Sequence, residues 1–369
     1  MKKIKLTTSA KKFNSKQIQD ALFTLAIFAI MIIIISNPKR FTAGTISGLK
    51  LFFYSVLPGL FPFMLLTKLL TEIGFLFKIT SKFNNFTRKF FGTTGVSMYI
   101  FCMSILSGYP IGAKLISDLY SKQLITTTDA KKMSIFCTTS GPIFVIGAVG
   151  AGMFKSLKIG LILYFSHIIS SVLIGILYNV LTIKKTSEPP CINQSLLLLN
   201  KNNNYTLSNV VSETINSLFV VGAYITIFFL ISEILDALKI ISFIVNLISK
   251  PLTIANISTN TTKGLVYGII EVTRGSKVLS ATVSHSSIAI CSGIISFSGL
   301  SIIMQSMAFL KNAKIKTHSF VFAKCVHCVV SIFICYLLLF FIWNWCNFNV
   351  INSVFKFITI SFNNCSILV

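Results

Sequence analysis

Long apolar runs separated by short, mostly basic connections set the pattern of this 369-residue chain. The runs Ala21–Ser36, Leu51–Thr67, Met133–Phe154, Ile159–Ile183, Val210–Leu235, Ser286–Leu310 and Phe320–Trp343 each approach or exceed the roughly 20 residues that cross a bilayer core as a helix. Only helices and closed barrels satisfy their own backbone in hydrocarbon, so runs of this length predict an all-α, polytopic membrane protein. Ile240–Ile248 reads as an interfacial helix.

Two stretches interrupt the pattern. Residues 90 to 113 carry no charge, yet Ser107-Gly108-Tyr109-Pro110-Ile111-Gly112-Ala113-Lys114 packs two glycines and a proline into five positions. Proline lacks an amide proton and disfavours helix at the preceding residue, while glycine admits backbone geometry that other residues resist. Phe90–Leu106 is therefore expected to enter the membrane, break, and turn back toward Lys122, Lys131 and Lys132 as a re-entrant hairpin. The second stretch, Glu271-Val272-Thr273-Arg274-Gly275-Ser276-Lys277, follows the apolar Gly264–Ile270. Setting Gly112 on Gly275 aligns Lys114 with Lys277 at an offset of 163. Ser140-Gly141-Pro142-Ile143 resembles Ser298-Gly299-Leu300-Ser301 at an offset of 158. Paired interrupted segments in two halves of a membrane chain point to a transporter's central site.

Seven spans and two hairpins, at 90–122 and 264–285, give the topology. A basic arm and anchor occupy residues 1–44, a first repeat 45–183, a polar linker 184–209, a second repeat 210–345 and a tail 346–369. The six lysines before Asp20 hold the N-terminus in the cytoplasm. The first repeat then begins outside and the second inside, so the repeat is inverted, as alternating access requires.

Composition agrees and removes some alternatives. At 54% hydrophobic and 11% charged, the chain has too little charge to cover a water-soluble surface of this size. The net charge of +24 sits in the arm and between apolar runs, which sets topology and does not indicate nucleic acid. Nine scattered cysteines form no framework, and Cys325-Val326-His327-Cys328 lacks a second ligand pair, so no metal or cofactor is expected.

Among polar residues, Glu271 is one of nine acids and lies three positions from Arg274, close enough on a helix to pair. Intramembrane ionisable groups are expensive and usually mark a substrate or ion path. Ser107, Gly108, Tyr109, Pro110, Gly112, Lys114, Thr139, Ser140, Glu271, Thr273, Arg274, Gly275, Ser298, Gly299 and Gln305 form the candidate substrate site. Lys114 and Lys277 are read equally well as interface residues. His167, His285, His318 and His327 read as too dispersed for a metal site, and Glu233 and Asp236 as a solvated helix end. No catalytic set is apparent, so an enzyme is not expected.

Gly48–Leu51 through Pro58–Phe63, the Ser107–Lys114 motif, Ser140–Val149, and Gly268–Gly275 with Ser298–Ser301 together resemble the YlbJ (SpoVV) sporulation integral membrane protein family over about residues 45 to 343. That family commonly has Asn where Gly141 stands here. The resemblance implies a mother-cell protein of endospore formers in the nucleoside-recognition gate-domain group, similar in plan to concentrative nucleoside transporters. It implies transport of the small aromatic dicarboxylate dipicolinic acid across the outer forespore membrane. The expected partners are a small-molecule anionic substrate, the lipid bilayer and a coupling ion, H+ or Na+; an oligomer is compatible with this reading. The alternatives are a transporter of nucleosides or another small polar solute, and a non-transporting structural sporulation protein.

Overall fold

The computed structural model describes residues 15–182, 207–254 and 256–345. The arm before residue 15, most of the predicted linker and the tail 346–369 lie outside them. All regular structure among the described residues is helical. Helix α1 (Ser15–Ser36) exposes Leu22, Phe23, Phe28, Ile32 and Ile35 on every side, for which lipid is the fitting solvent. The next run, 38–72, is one continuous course built from α2 (Pro38–Leu51), a π-helical turn Phe52–Val56 and α3 (Leu57–Glu72). The wide turn sits just before Pro58, which supplies no amide to the preceding turn.

Amphipathic α4 (Phe75–Phe91) buries Leu76, Thr80, Thr87 and Phe91 and exposes Lys78, Lys82, Arg88 and Lys89. It meets α5 (Val96–Ser107) at 90°. The chain then breaks and continues as α6 (Ile111–Ser121) and α7 (Thr127–Phe136). After a second break comes the π-helix Ile143–Met153, followed by α8 (Leu157–Thr182). Beyond the linker the succession recurs: a long helix α9 (Leu207–Ala237) and the shorter α10 (Ile240–Ile254). The broken pair α11 (Thr259–Ile270) and α12 (Val272–Ser280) follows. The broken pair α13 (His285–Phe297) and α14 (Gly299–Leu310) leads to the long α15 (Thr317–Trp345).

The 38–72 course and α9 run antiparallel. Lys68 near the end of one pairs with Glu213 near the start of the other, and Arg40 at the start of the first pairs with Glu233 and Asp236 at the end of the second. The helices that follow them, α4 and α10, therefore leave from opposite ends of this pair. The halves interlock: Ile303, Met307 and Leu310 of α14 join the core around α5–α7, while Val145, Val149, Ile162 and Leu163 join the core of α12, α13 and α15.

Three expectations change. Among the described residues, six helices are long and apolar enough to cross a membrane by length and composition, and a seventh span is reached only if α4 and α5, bent by 90°, count as one. Met133–Phe154 is not one of them, because the stretch between Phe136 and Ile143 divides it into two short helices. Phe90 belongs to the amphipathic α4 and not to the apolar entry helix, which begins at Val96 after a turn at Gly92 and Gly95.

Candidate functional site

Four interruptions converge in the centre of the fold, two from each half. In the first, Gly108 takes φ +86°, a left-handed geometry that side chains resist. A β-carbon on it would stand 2.5 Å from the Gly141 amide nitrogen of the second interruption. In the second half, Ser298 and Gly299 both have positive φ, and a β-carbon on Gly299 would come within 3.2 Å of the Val272 nitrogen. The first and second breaks thus touch, as do the third and fourth.

Between the two pairs lies a cavity of about 260 Å³. Ser107, Gly108, Tyr109, Ser140, Gly141, Thr273, Ser301 and Gln305 give it polar surface, and Leu51, Val56, Leu60, Phe144, Val221 and Ile225 give it apolar walls. Ser55, from the π-helical turn, also faces it. No charged side chain lines the cavity among the described residues. The Ser107 hydroxyl is buried without a partner among the described residues, whereas Gln305 Nε2 donates to Ser301 Oγ at 3.2 Å. A buried hydroxyl costs free energy unless something satisfies it, so this one is available to a polar guest or water.

The surrounding breaks are held by hydrogen bonds. The Thr139 amide donates to Ser104 Oγ at 3.0 Å and the Ser140 amide to His167 Nε2 at 2.8 Å. Glu271 caps α12: its carboxylate accepts from the amides of Thr273 at 3.0 Å and Arg274 at 2.7 Å. The helices starting at Ile111, Ile143 and Gly299 have no side-chain cap.

Of the candidate residues, Ser107, Gly108, Tyr109, Ser140, Thr273 and Gln305 line the cavity. Pro110, Gly112, Thr139, Glu271, Gly275, Ser298 and Gly299 do not, although they shape the breaks behind it. Gly112 and Gly275 permit backbone contact, with Cys137 and with Gly268 respectively. Lys114 lies elsewhere, paired with Asp118 at 2.5 Å in a separate charged pocket that also holds Lys68, Glu72, Lys122 and Glu213. Lys277 is exposed.

Arg274 does not pair with Glu271 through its side chain. Its guanidinium bonds Glu233 at 2.9 Å, approaches Asp236 at 3.6 Å, and stacks on Tyr267. Glu233 and Asp236, read as solvated, instead bridge Arg40 and Arg274. Two of the four histidines also meet. His167 and His327 stack with ring centroids 4.8 Å apart, and His327 Nε2 donates to the His167 carbonyl at 3.1 Å.

The sequence reading missed Lys324. It is 1% exposed, and its Nζ donates to the Tyr109 hydroxyl at 3.0 Å and the Thr138 carbonyl at 2.6 Å. The signal was present: Lys324 is the single charged residue in the apolar run 320–343. Among the described residues no group of three His, Cys, Asp or Glu side chains could hold a metal ion.

No family model matches the chain, and no solved structure matches it. The chain is 27% identical over 328 residues to the sporulation integral membrane protein YlbJ of Bacillus subtilis (strain 168), an alignment covering 84% of this chain and 80% of that protein. The match reaches across most of the broken-helix architecture, and the span-forming helices suit an integral membrane protein. Over most of its length the chain is thus similar to a sporulation integral membrane protein, YlbJ.

Proposed function

We propose that this sporulation membrane protein is a transporter whose substrate is dipicolinic acid, moved across the outer forespore membrane. The observation that carries the reading is the meeting of four helix interruptions around one cavity with an unsatisfied hydroxyl in its wall. Broken helices at membrane depth are tolerated where they line a polar cavity, and transporters place their substrate there. Three helix starts without side-chain caps adjoin it, and the positive end of a helix favours a carboxylate. The aliphatic and aromatic walls suit a flat ring.

An inverted repeat is supported by two features: the recurring succession of elements in the two halves, and the departure of α4 and α10 from opposite ends of an antiparallel helix pair. Rocking of one half against the other about the shared cavity would then expose it to each side in turn.

A neutral solute such as a nucleoside is the second reading, favoured by the absence of charged side chains from the cavity lining among the described residues. Uptake of labelled dipicolinate by proteoliposomes, with unlabelled dipicolinate or uridine as competitor, separates the two. Saturable uptake blocked by dipicolinate and not by uridine is expected. No uptake above empty liposomes would sink the transport reading, and competition by uridine alone would favour the second.

A further inference from the structure

No charged side chain lines the cavity among the described residues, yet one buried lysine stands directly behind its wall. Tyr109 lines the cavity, and its hydroxyl accepts a hydrogen bond from Lys324 Nζ at 3.0 Å. We propose that Lys324, acting through Tyr109, binds a proton together with the anionic substrate, so that the two are carried as a unit. This inference rests on the transport reading above.

The surroundings of Lys324 are what such a role needs. Its amine has two acceptors, the Tyr109 hydroxyl and the Thr138 carbonyl, and lies 4.8 Å from the Tyr109 ring centroid and 5.5 Å from that of Phe320. It makes no ion pair among the described residues. Aromatic faces and a carbonyl stabilise an ammonium only in part. A buried charge without a counter-charge is costly, and an anion in the adjoining cavity supplies the missing partner. Occupancy of the cavity by an anion and of Lys324 by a proton therefore favour each other, and by linkage the preference is reciprocal.

The other titratable groups facing this lysine are few. Tyr109 comes from the first break, His167 from α8, and His327 from α15 itself. Helix α13, also packed on α15, contributes hydroxyls there, Ser292 to Ser331 at 2.6 Å and Ser296 to His167. Its Cys291 turns to Ser276. On α7, Lys132 is taken up by the Gly92 carbonyl and Asn179, and Lys131 lies in a separate groove with Lys316 and His318.

His167 is ill placed to carry the proton. Its Nε2 already accepts from the Ser140 amide, so its Nδ1 holds the hydrogen donated to Ser296 Oγ at 2.8 Å. Protonating Nε2 would set donor against donor. His327 has a free Nδ1 but touches the cavity wall through no hydrogen bond, whereas Lys324 reaches it through Tyr109.

The test is proton uptake accompanying dipicolinate binding to the purified full-length protein. Binding heats compared in buffers of different ionisation enthalpy report that uptake. Wild type should take up roughly one proton per dipicolinate, and Lys324→Met and Lys324→Arg should take up none. Tyr109→Phe, which keeps the ring, should weaken dipicolinate binding more at high than at low pH. Dipicolinate binding to wild type without proton uptake overturns the coupling while leaving the transport reading in place. Uptake persisting in both Lys324 variants, or lost in His327→Gln while kept in Lys324→Met, overturns the assignment to Lys324. No dipicolinate binding to wild type overturns the transport reading and this inference together. Should the Lys324 variants fail to fold, the wild-type stoichiometry and Tyr109→Phe still decide the matter.

Discussion

Gly108 and Gly141 bring two helix interruptions into backbone contact: a β-carbon on Gly108 would lie 2.5 Å from the Gly141 nitrogen. Both residues line the central cavity, so the contact also sets its shape. Gly108→Ala would add this clash to the strain of φ +86°, of order 1–3 kcal/mol for a residue other than glycine. The variant should insert, lose thermal stability and lose transport. Wild-type uptake and melting temperature in Gly108→Ala would show that the two breaks do not meet this way.

Ser107 separates binding from stability. Its buried hydroxyl has no partner among the described residues, so removing it should not destabilise the fold. If the substrate satisfies it, Ser107→Ala should raise the Kd for dipicolinate by two- to tenfold, equivalent to one neutral hydrogen bond of about 0.5–1.5 kcal/mol. Unchanged affinity in a stably folded variant would take Ser107 out of the site.

The cluster of Arg40, Glu233, Asp236 and Arg274 ties α2 and α9 to α12. Arg274 and Glu233 are each about one-fifth exposed, so solvent screens the pair only in part. A double-mutant cycle with Arg274→Gln and Glu233→Gln, read by thermal unfolding in detergent, should give a coupling of roughly 0.5–3 kcal/mol. Additive effects would mean the two side chains do not interact. Because Arg274 does not line the cavity, Arg274→Gln should change dipicolinate Kd less than Ser107→Ala does.

Lys114 makes a similar distinction. It pairs with Asp118 in a pocket separate from the central cavity, so Lys114→Gln should leave dipicolinate Kd within about twofold of wild type, the effect of a few tenths of a kcal/mol. A tenfold loss would mean that Lys114 reaches the substrate after all.

Much of the fold was legible because hydrocarbon constrains the chain so strongly. Pro110 with Gly108, and Ser140-Gly141-Pro142, announce breaks that the backbone realises, and the long apolar helices announce themselves by length. The break at Ser298 and Gly299 is subtler, since it holds no proline and only its likeness to Ser140-Gly141 marks it in the sequence. Side-chain pairing was less legible. The spacing of Glu271 and Arg274 suggests an i, i+3 pair, but Glu271 stands at the cap of α12, where its carboxylate turns to amides. That frees the Arg274 guanidinium for Glu233 and Asp236, about 40 positions away in sequence. Likewise, the separation of 160 positions between His167 and His327 hides a stacked pair made by α8 and α15. Such contacts depend on tertiary packing, which one sequence without its fold does not display.

The central claim is that both halves of the chain build one substrate cavity, and Ser107 of the first half and Ser301 of the second face it together. Replacing the nine native cysteines and introducing Ser107→Cys or Ser301→Cys singly provides one reporter in each half. The measurement is the rate of modification by a small thiol reagent in proteoliposomes, with and without saturating dipicolinate. The account predicts that dipicolinate slows modification at both positions. Protection of neither, in variants that still take up dipicolinate, would contradict it.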